Sequence, residues 1–532
     1  MSAELQQFTA FEQPTTLLGL YNLTRRGSAL STYSADGMAA KVKNMAQRAK
    51  PEIKVRVDTR KSYSTLDKLE GVVSITALSD TRFDTVEIDF VGTSKTFVER
   101  LTAAPSINGR SEAFHQFLKL SQPIPETSIP PLRTLEAGKT YDFPFLFVIP
   151  QQLLPRICQH RISSESVRDA HLQLPPTLGD HEIEGDVHSD DIAPWMAKIS
   201  YAVLAKITRT KDDGQASVVA IKTQRVRIRP AMDEAAPLTV DHKHSDYHLR
   251  KEKNIKKGVF KGKLGVLVME AAQPKSLRLQ VPENDASTTT MVTVKLRFDP
   301  REENSQPPRL GSLVSKLKIA TYFATKAFRN YPAKVDTMLD LAQGVHTEQL
   351  ALSSRCVAGV EWRQRSVCAP QSPPRRRDSA VSTASVDESS TPQASERYNG
   401  RVFHTANILV PITLPSNKTF VPTFHSCLVS RTYSLTLQLS CNGVAGPTLE
   451  LKVPVQVSAE ASTEAVATAH QRVSLANIAE AATQEAEEFF RPRRLSPPGE
   501  ELVGNSQLAQ AAGEAPPDYS LFANTHRVSV FG

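Results

Sequence analysis

Hydrophobic residues fall at every second position over much of this chain. Ile53, Val55 and Val57 alternate with charged residues, and Val86, Ile88 and Phe90 alternate with Glu87 and Asp89. A period of two puts the apolar side chains on one face of a strand and the polar ones on the other. The same pattern predicts strands at Val73–Thr76, Phe114–Leu120, Phe143–Ile149, Lys198–Thr208 and Val218–Ile228. Seven such runs separated by turns argue for an antiparallel sandwich rather than alternating βα units. A break follows at Arg229–His248, which holds Pro230, Pro237 and a His/Asp-rich run. A second set of strands is expected at Val259–Met269, Ser276–Val281, Met291–Phe298, Val314–Phe323, Gln349–Val360, Val402–Val410, Cys427–Ser440 and Leu449–Val457. Each set is large enough to bury its own core. The expected fold class is all-β, with two immunoglobulin-like β-sandwich domains.

The alternation stops in three places, and these set the expected boundaries. Residues 1–50 are Ser/Thr-rich and read as a disordered or linker segment, in which Met38–Lys50 has the spacing of a short basic amphipathic helix. Residues 363–397 combine Ser-Pro, Arg-Arg-Arg and a Ser/Thr/Asp/Glu mixture with few large apolar side chains, the composition of a disordered insertion. Residues 458–532 begin Ala/Glu-rich and become Pro/Gly-rich, a disordered tail. The organisation that follows is a segment 1–50, a sandwich at 51–230, a basic linker at 231–257, a second sandwich at 258–457 with the insertion inside it, and the tail.

Composition removes several classes of function. No apolar run has the length of a transmembrane helix, and the N-terminus lacks the basic-then-apolar order of a secretory signal. The five cysteines, Cys158, Cys356, Cys368, Cys427 and Cys441, form no CxxC pair, so reduced thiols in a cytoplasmic protein are expected. Cys427 and Cys441 lie at the ends of one predicted strand and read as core thiols. His242, His244 and His248 sit near Asp241 and Asp246, but no ribbon or helix organises them as ligands, and no metal or other cofactor is expected. GxSxG, P-loop, GxGxxG and HExxH motifs are absent, so the chain is not expected to be an enzyme. A net charge of +8 over 532 residues is mild. Aromatic residues are sparse around the basic stretch, which argues against nucleic acid.

The tail carries the sharpest motif, Pro516-Pro517-Asp518-Tyr519. Paired prolines hold polyproline II, whose three-residue turn places Pro516 and Tyr519 on one face. WW domains accept that shape in an aromatic groove, and such domains are common in HECT-type ubiquitin ligases. About 58 residues separate the last expected strand from the motif, and a flexible chain of that length spans about 45 Å. Three Arg-Arg-x-Ser sites, at Ser28, Ser379 and Ser496, suit basophilic kinases, and each falls in a segment expected to be disordered. Arg493 and Pro498 around Ser496 also fit a 14-3-3 ligand.

Several segments resemble the fungal α-arrestins, the arrestin-related trafficking adaptors, and specifically a Bul-like branch. Lys68–Ile75 followed by Val86–Gly92 is similar to the family's opening hairpin. Tyr141–Pro150 with Leu154-Pro155 is similar to the aromatic-proline strand of arrestin N-domains. Leu174-Pro-Pro-Thr-Leu-Gly-Asp180 resembles a loop of the Bul-type branch, and Val421–Leu439 resembles late strands of the C-domain in the same group. The resemblance covers roughly residues 52–457. It implies two arrestin-like sandwiches and an adaptor that brings a HECT-type ligase to plasma-membrane transporters for ubiquitination, endocytosis and sorting. Such a protein would be cytoplasmic and recruited to the plasma membrane and endosomes. The basic run Lys251, Lys253, Lys256, Lys257, Lys261 and Lys263 is then a candidate contact for acidic transporter tails or an anionic leaflet. A solvated linker is the other reading of those lysines. For the whole chain, the other reading is a ligase-independent sorting subunit with the same fold.

Overall fold

Residues 50–99, 109–183, 190–210, 214–240, 246–256, 262–280, 288–366, 391–441 and 448–462 are described by the structure, a computed structural model. The first block contains β1 (Glu52–Val57), β2 (Ser62–Tyr63), β3 (Lys68–Thr76), β4 (Thr81–Arg82), β5 (Thr85–Glu99), β6 (Arg110–Ser121), β7 (Thr134–Leu135), β8 (Thr140–Val148), β9 (Ala197–Thr210) and β10 (Ala216–Ile228). One sheet runs β1-β3-β8 and the other β2-β10-β9-β5-β6, with β4 and β7 as a small ribbon. Alternation decides which side chains meet between the sheets. Along β8, Phe143, Phe145 and Phe147 are buried while Asp142, Pro144 and Leu146 face outward. They meet Phe90 and Tyr201 from the opposite sheet, with Phe90 and Phe147 rings 5.8 Å apart. Each such ring contributes about 1.5–3 kcal/mol on burial. Pro144 is tolerated because β8 is an edge strand. Gly71 lies opposite Phe145, where a Cβ would stand 2.4 Å from the ring and 2.3 Å from the Arg56 carbonyl oxygen.

The second block contains β11 (Arg250–Lys256), β12 (Lys263–Ala271), β13 (Leu277–Leu279), β14 (Thr289–Pro300), β15 (Leu310–Ala324), β16 (Gln343–Cys356), β17 (Arg363–Ser366), β18 (Val402–Thr413), β19 (Phe424–His425), β20 (Val429–Cys441), β21 (Leu449–Val455) and β22 (Val457–Ala459). Its sheets run β11-β12-β14-β18-β17 and β16-β15-β20-β19, with β21 also paired to β20. Leu296, Phe298, Leu317, Leu435, Leu437 and Leu451 lie in its core. Helices α1 (Glu165–Leu172) and α2 (Lys334–Leu339) sit in connections.

The two blocks exchange core residues. Phe323, Val421, Phe424, Leu428 and Val429 of the second block pack into the first core, and Ile192 of the first packs into the second. Ile192 adopts φ 58°, a costly conformation for a β-branched residue. Three contacts hold it there. Its amide donates to Asp190 Oδ1 at 2.8 Å, Lys418 pairs with Asp190 at 2.6 Å, and Arg431 reaches its carbonyl oxygen at 3.1 Å. Arg431 is 1% exposed and also donates to the Asp191 carbonyl oxygen at 3.3 and 3.4 Å.

Several expectations need correction. Strands β3 and β5 do not form a hairpin. They belong to opposite sheets, because the connection between them crosses the sandwich with buried Phe83 as its anchor. Residues 250–256, expected in a linker, form edge strand β11, paired to β12 along its length. The expected insertion 363–397 is ordered at both ends. Residues 363–366 form β17, and the segment from 391 docks on β14. There Arg297 pairs with Asp299 at 2.7 Å and donates to the Pro392 carbonyl, while the Ser395 amide donates to Asp299 at 2.7 Å.

Candidate metal centre at the junction of the sandwiches

The connection from β8 to β9 is built to present ligating side chains. Pro155 opens a single 3-10 turn, Pro155–Ile157, as its fixed φ favours, and Cys158 follows directly. Ser164 stands at the N-cap position of α1 and Glu165 occupies its first turn, where a carboxylate suits the helix dipole. Val167 and His171, four residues apart, form the buried face of that helix. Cys427 comes from the second block, in the tight turn between β19 and β20. The Ser426 amide and hydroxyl close that turn on the Val429 carbonyl at 2.9 and 2.7 Å, and the Phe328 amide donates to the Cys427 carbonyl at 2.9 Å.

These elements bring Cys158, His160, His171 and Cys427 together, with their ligand atoms all within 4.8 Å of one another. Cys158 Sγ lies 3.2 Å from His160 Nε2 and 3.6 Å from His171 Nδ1. His160 Nδ1 faces the Arg161 carbonyl oxygen at 3.3 Å, which suits a proton on that nitrogen. Cys158, His171 and Cys427 are buried and His160 is half-buried. Tyr331 donates from its hydroxyl to the Ser166 carbonyl at 2.9 Å and meets the His425 ring edge-on at 4.8 Å.

The electrostatics favour a thiolate at Cys158. A hydrogen bond from Cys427, followed by those from His160 and His171, pulls the Cys158 thiol well below its ordinary range, against burial that raises it. The same hydrogen bond and burial push Cys427 up. Two more imidazoles flank the group. Burial, followed by the charge of His160, brings His115 down to about 4. Burial, then the charge of His171, brings His425 down to about 4. A thiolate beside an imidazole is also the pairing of a nucleophilic cysteine, but Cys158 is only 2% exposed and no substrate can reach it.

The lysines of the basic run are divided by the fold. Lys251, Lys256 and Lys263 are exposed on the β11–β12 hairpin, with Lys256 opposite Lys263. Lys253 donates to the Thr448 carbonyl at 3.2 Å, and Ile255 is buried. Lysines on an edge strand also discourage pairing with other strands. Lys257 and Lys261 lie outside the described residues, as do Ser28, Ser379, Ser496, Pro516, Pro517 and Tyr519. His242 and His244 do too, whereas the His248 backbone pairs with Lys452. Of the two cysteines expected in the core, Cys427 is buried and Cys441 only half-buried.

Sequence reasoning missed the Cys/His group. Cys158-Gln159-His160 is a short ligand-like spacing, and His171 follows on a helix, but Cys427 is far away in sequence.

Comparison with known proteins gives one family. Residues 353–459 match the family model described as the Bul1 C terminus, a stretch that runs from the end of β16 to the end of β22 and contains Cys427 and Arg431. No curated protein matches the chain.

Proposed function

We propose that this chain, a Bul-type arrestin-related protein by its residues 353–459, works as an adaptor that recruits a WW-domain HECT-type ubiquitin ligase to plasma-membrane transporters. The carrying observation is the Bul1-type C-terminal domain on an all-β chain that also holds Pro516-Pro517-Asp518-Tyr519. The family is one of ubiquitin-ligase adaptors, and the motif supplies the chemistry by which a WW groove would be engaged. A contact of this kind binds at about −6 to −7 kcal/mol, so membrane co-localisation and multivalent cargo would raise its effective concentration.

The sandwiches would hold the cargo. Lys251, Lys256 and Lys263, exposed together on one hairpin, support a role in contacting acidic tails or anionic lipid. Ser496 lies 20 positions before Pro516, so a phosphate there, of close to two negative charges, would regulate access by the ligase or create a 14-3-3 site. The chain itself would perform no covalent step.

The test is the paired substitution Pro517→Ala with Tyr519→Ala in the full chain. Ligase co-precipitation is expected to disappear and cargo turnover to slow. Survival of both would sink the ligase-adaptor reading and leave a sorting role that does not use the ligase.

A further inference from the structure

We propose that Cys158, His160, His171 and Cys427 bind a zinc ion as a closed Cys2His2 centre that clamps the first sandwich to the second. The geometry comes first. A tetrahedral zinc with Zn–S of about 2.3 Å and Zn–N of about 2.0–2.1 Å sets S···N edges of about 3.6 Å and S···S edges of about 3.8 Å. The observed S···N separations are 3.2 and 3.6 Å, and all four ligand atoms fall within 4.8 Å. Small side-chain adjustments complete the tetrahedron. Two sulfurs and two imidazole nitrogens are the donor set that selects zinc over the hard, oxygen-seeking cations.

Charge supports the same ion. Two thiolates and two neutral imidazoles around a divalent cation sum to zero, so the loaded site can be buried without a net charge. The thiol protons leave to solvent as the sulfurs coordinate. The outer shell is also in place for one ligand, with His160 Nδ1 directed at the Arg161 carbonyl oxygen, an arrangement that fixes the tautomer leaving Nε2 for the metal. With four protein ligands and a buried setting, the centre is structural and holds no open position for a substrate.

Its placement gives it a task. Three ligands come from the β8–β9 connection and the fourth from the β19–β20 turn, within the Bul1-type domain. Around it the blocks already touch through hydrogen bonds. The Ser163 amide meets the Arg329 carbonyl at 2.9 Å, and Thr96 Oγ1 meets the Ala324 carbonyl at 2.6 Å. A zinc ion would tie α1 and the turn at Cys427 into one unit, as a cross-link between segments distant in sequence.

Metal analysis of the full chain, purified without chelator and reconstituted with zinc sulfate, tests the idea. About one zinc per chain is expected, and cobalt substitution should give the intense visible bands and the sulfur-to-cobalt charge transfer of a tetrahedral thiolate site. Cys158→Ser with Cys427→Ser should lower retained zinc at least about tenfold, while Cys356→Ser with Cys441→Ser should leave it unchanged. X-ray absorption of the wild-type zinc protein should count two sulfur and two nitrogen neighbours, a readout that does not depend on any variant folding. A wild-type chain that takes up neither zinc nor cobalt would overturn the proposal. So would a Cys158–Cys427 disulfide in the freshly purified protein, or zinc fully retained by the Cys158/Cys427 variant.

Discussion

Replacing Asp180 with asparagine removes a buried charge from the end of the Leu174–Asp180 loop. The Asp180 side chain is 0% exposed, and it holds Lys198 at 3.0 Å and Arg225 at 3.0 Å, whose own side chains are 27% and 11% exposed. Breaking a buried pair by removing one member costs about 3–5 kcal/mol, because the partner's charge is left uncompensated. Here Arg225 keeps Glu182 at 2.7 Å and Lys198 keeps it at 3.1 Å, and Glu182 is 61% exposed. That residual, solvent-screened pairing moves the expected loss to about 2–3 kcal/mol. Thermal denaturation of the full chain should show the variant melting on the order of 5 °C lower, while Glu182→Gln shifts it by much less. The effect has a pH signature. Burial alone would raise the Asp180 carboxyl, but Lys198 and Arg225 together with hydrogen bonds outweigh it, so the group lies below its ordinary value of 3.8. A depressed carboxylate contributes fully above its unfolded value and loses its contribution as pH falls through the folded one. The gap between wild type and Asp180→Asn should therefore hold through neutral pH and close only under acid conditions below 3.8. A variant that melts with the wild type at pH 7 would refute the reasoning.

Arg431→Ala should destabilise the junction more than a surface change can, since two backbone carbonyl groups lose their donors at about 1–3 kcal/mol each. Hydrogen exchange of the amides at 190–192 and a thermal melt check it, and a variant as stable as wild type rules it out. Reversing Lys251, Lys256 and Lys263 to glutamate should weaken capture of an acidic transporter-tail peptide roughly tenfold at low salt and flatten its salt dependence. Unchanged binding in that titration would return these lysines to edge protection alone.

Legibility in the sequence followed the strength of the local pattern. β8 was readable because Phe143, Phe145 and Phe147 alternate without exception. β11 was not, because Ile255 is its one buried residue among lysines. Partner choice was also hidden. Periodicity marks β3 and β5 as strands, but only the crossing of the sandwich at Phe83 sends them to opposite sheets. Helix α1 is too short and too polar to stand out, with only Val167 and His171 fully buried. The Cys/His group escaped because ligand motifs are recognised by short spacings, and Cys427 reaches Cys158 only through the folded junction. The segment Val421–Leu439 was informative as a resemblance, since it lies within residues 353–459, which match the family model of the Bul1 C terminus, but nothing in the run Val429-Ser-Arg-Thr-Tyr433 announces that its arginine is buried.

The sharing of core residues between the blocks bears on how the protein is made. The first core is closed by Val421, Phe424, Leu428 and Val429, about 200 residues downstream of the last strand of its own block. At translation speeds of about 5–20 residues per second, that gap leaves the nascent first sandwich with an unfilled wall for roughly 10–40 s. During that interval its apolar side chains are open to chaperones, and a chain stopped early would present the same surface to quality control. The first sandwich therefore cannot finish folding until a segment made about 200 residues later has been added.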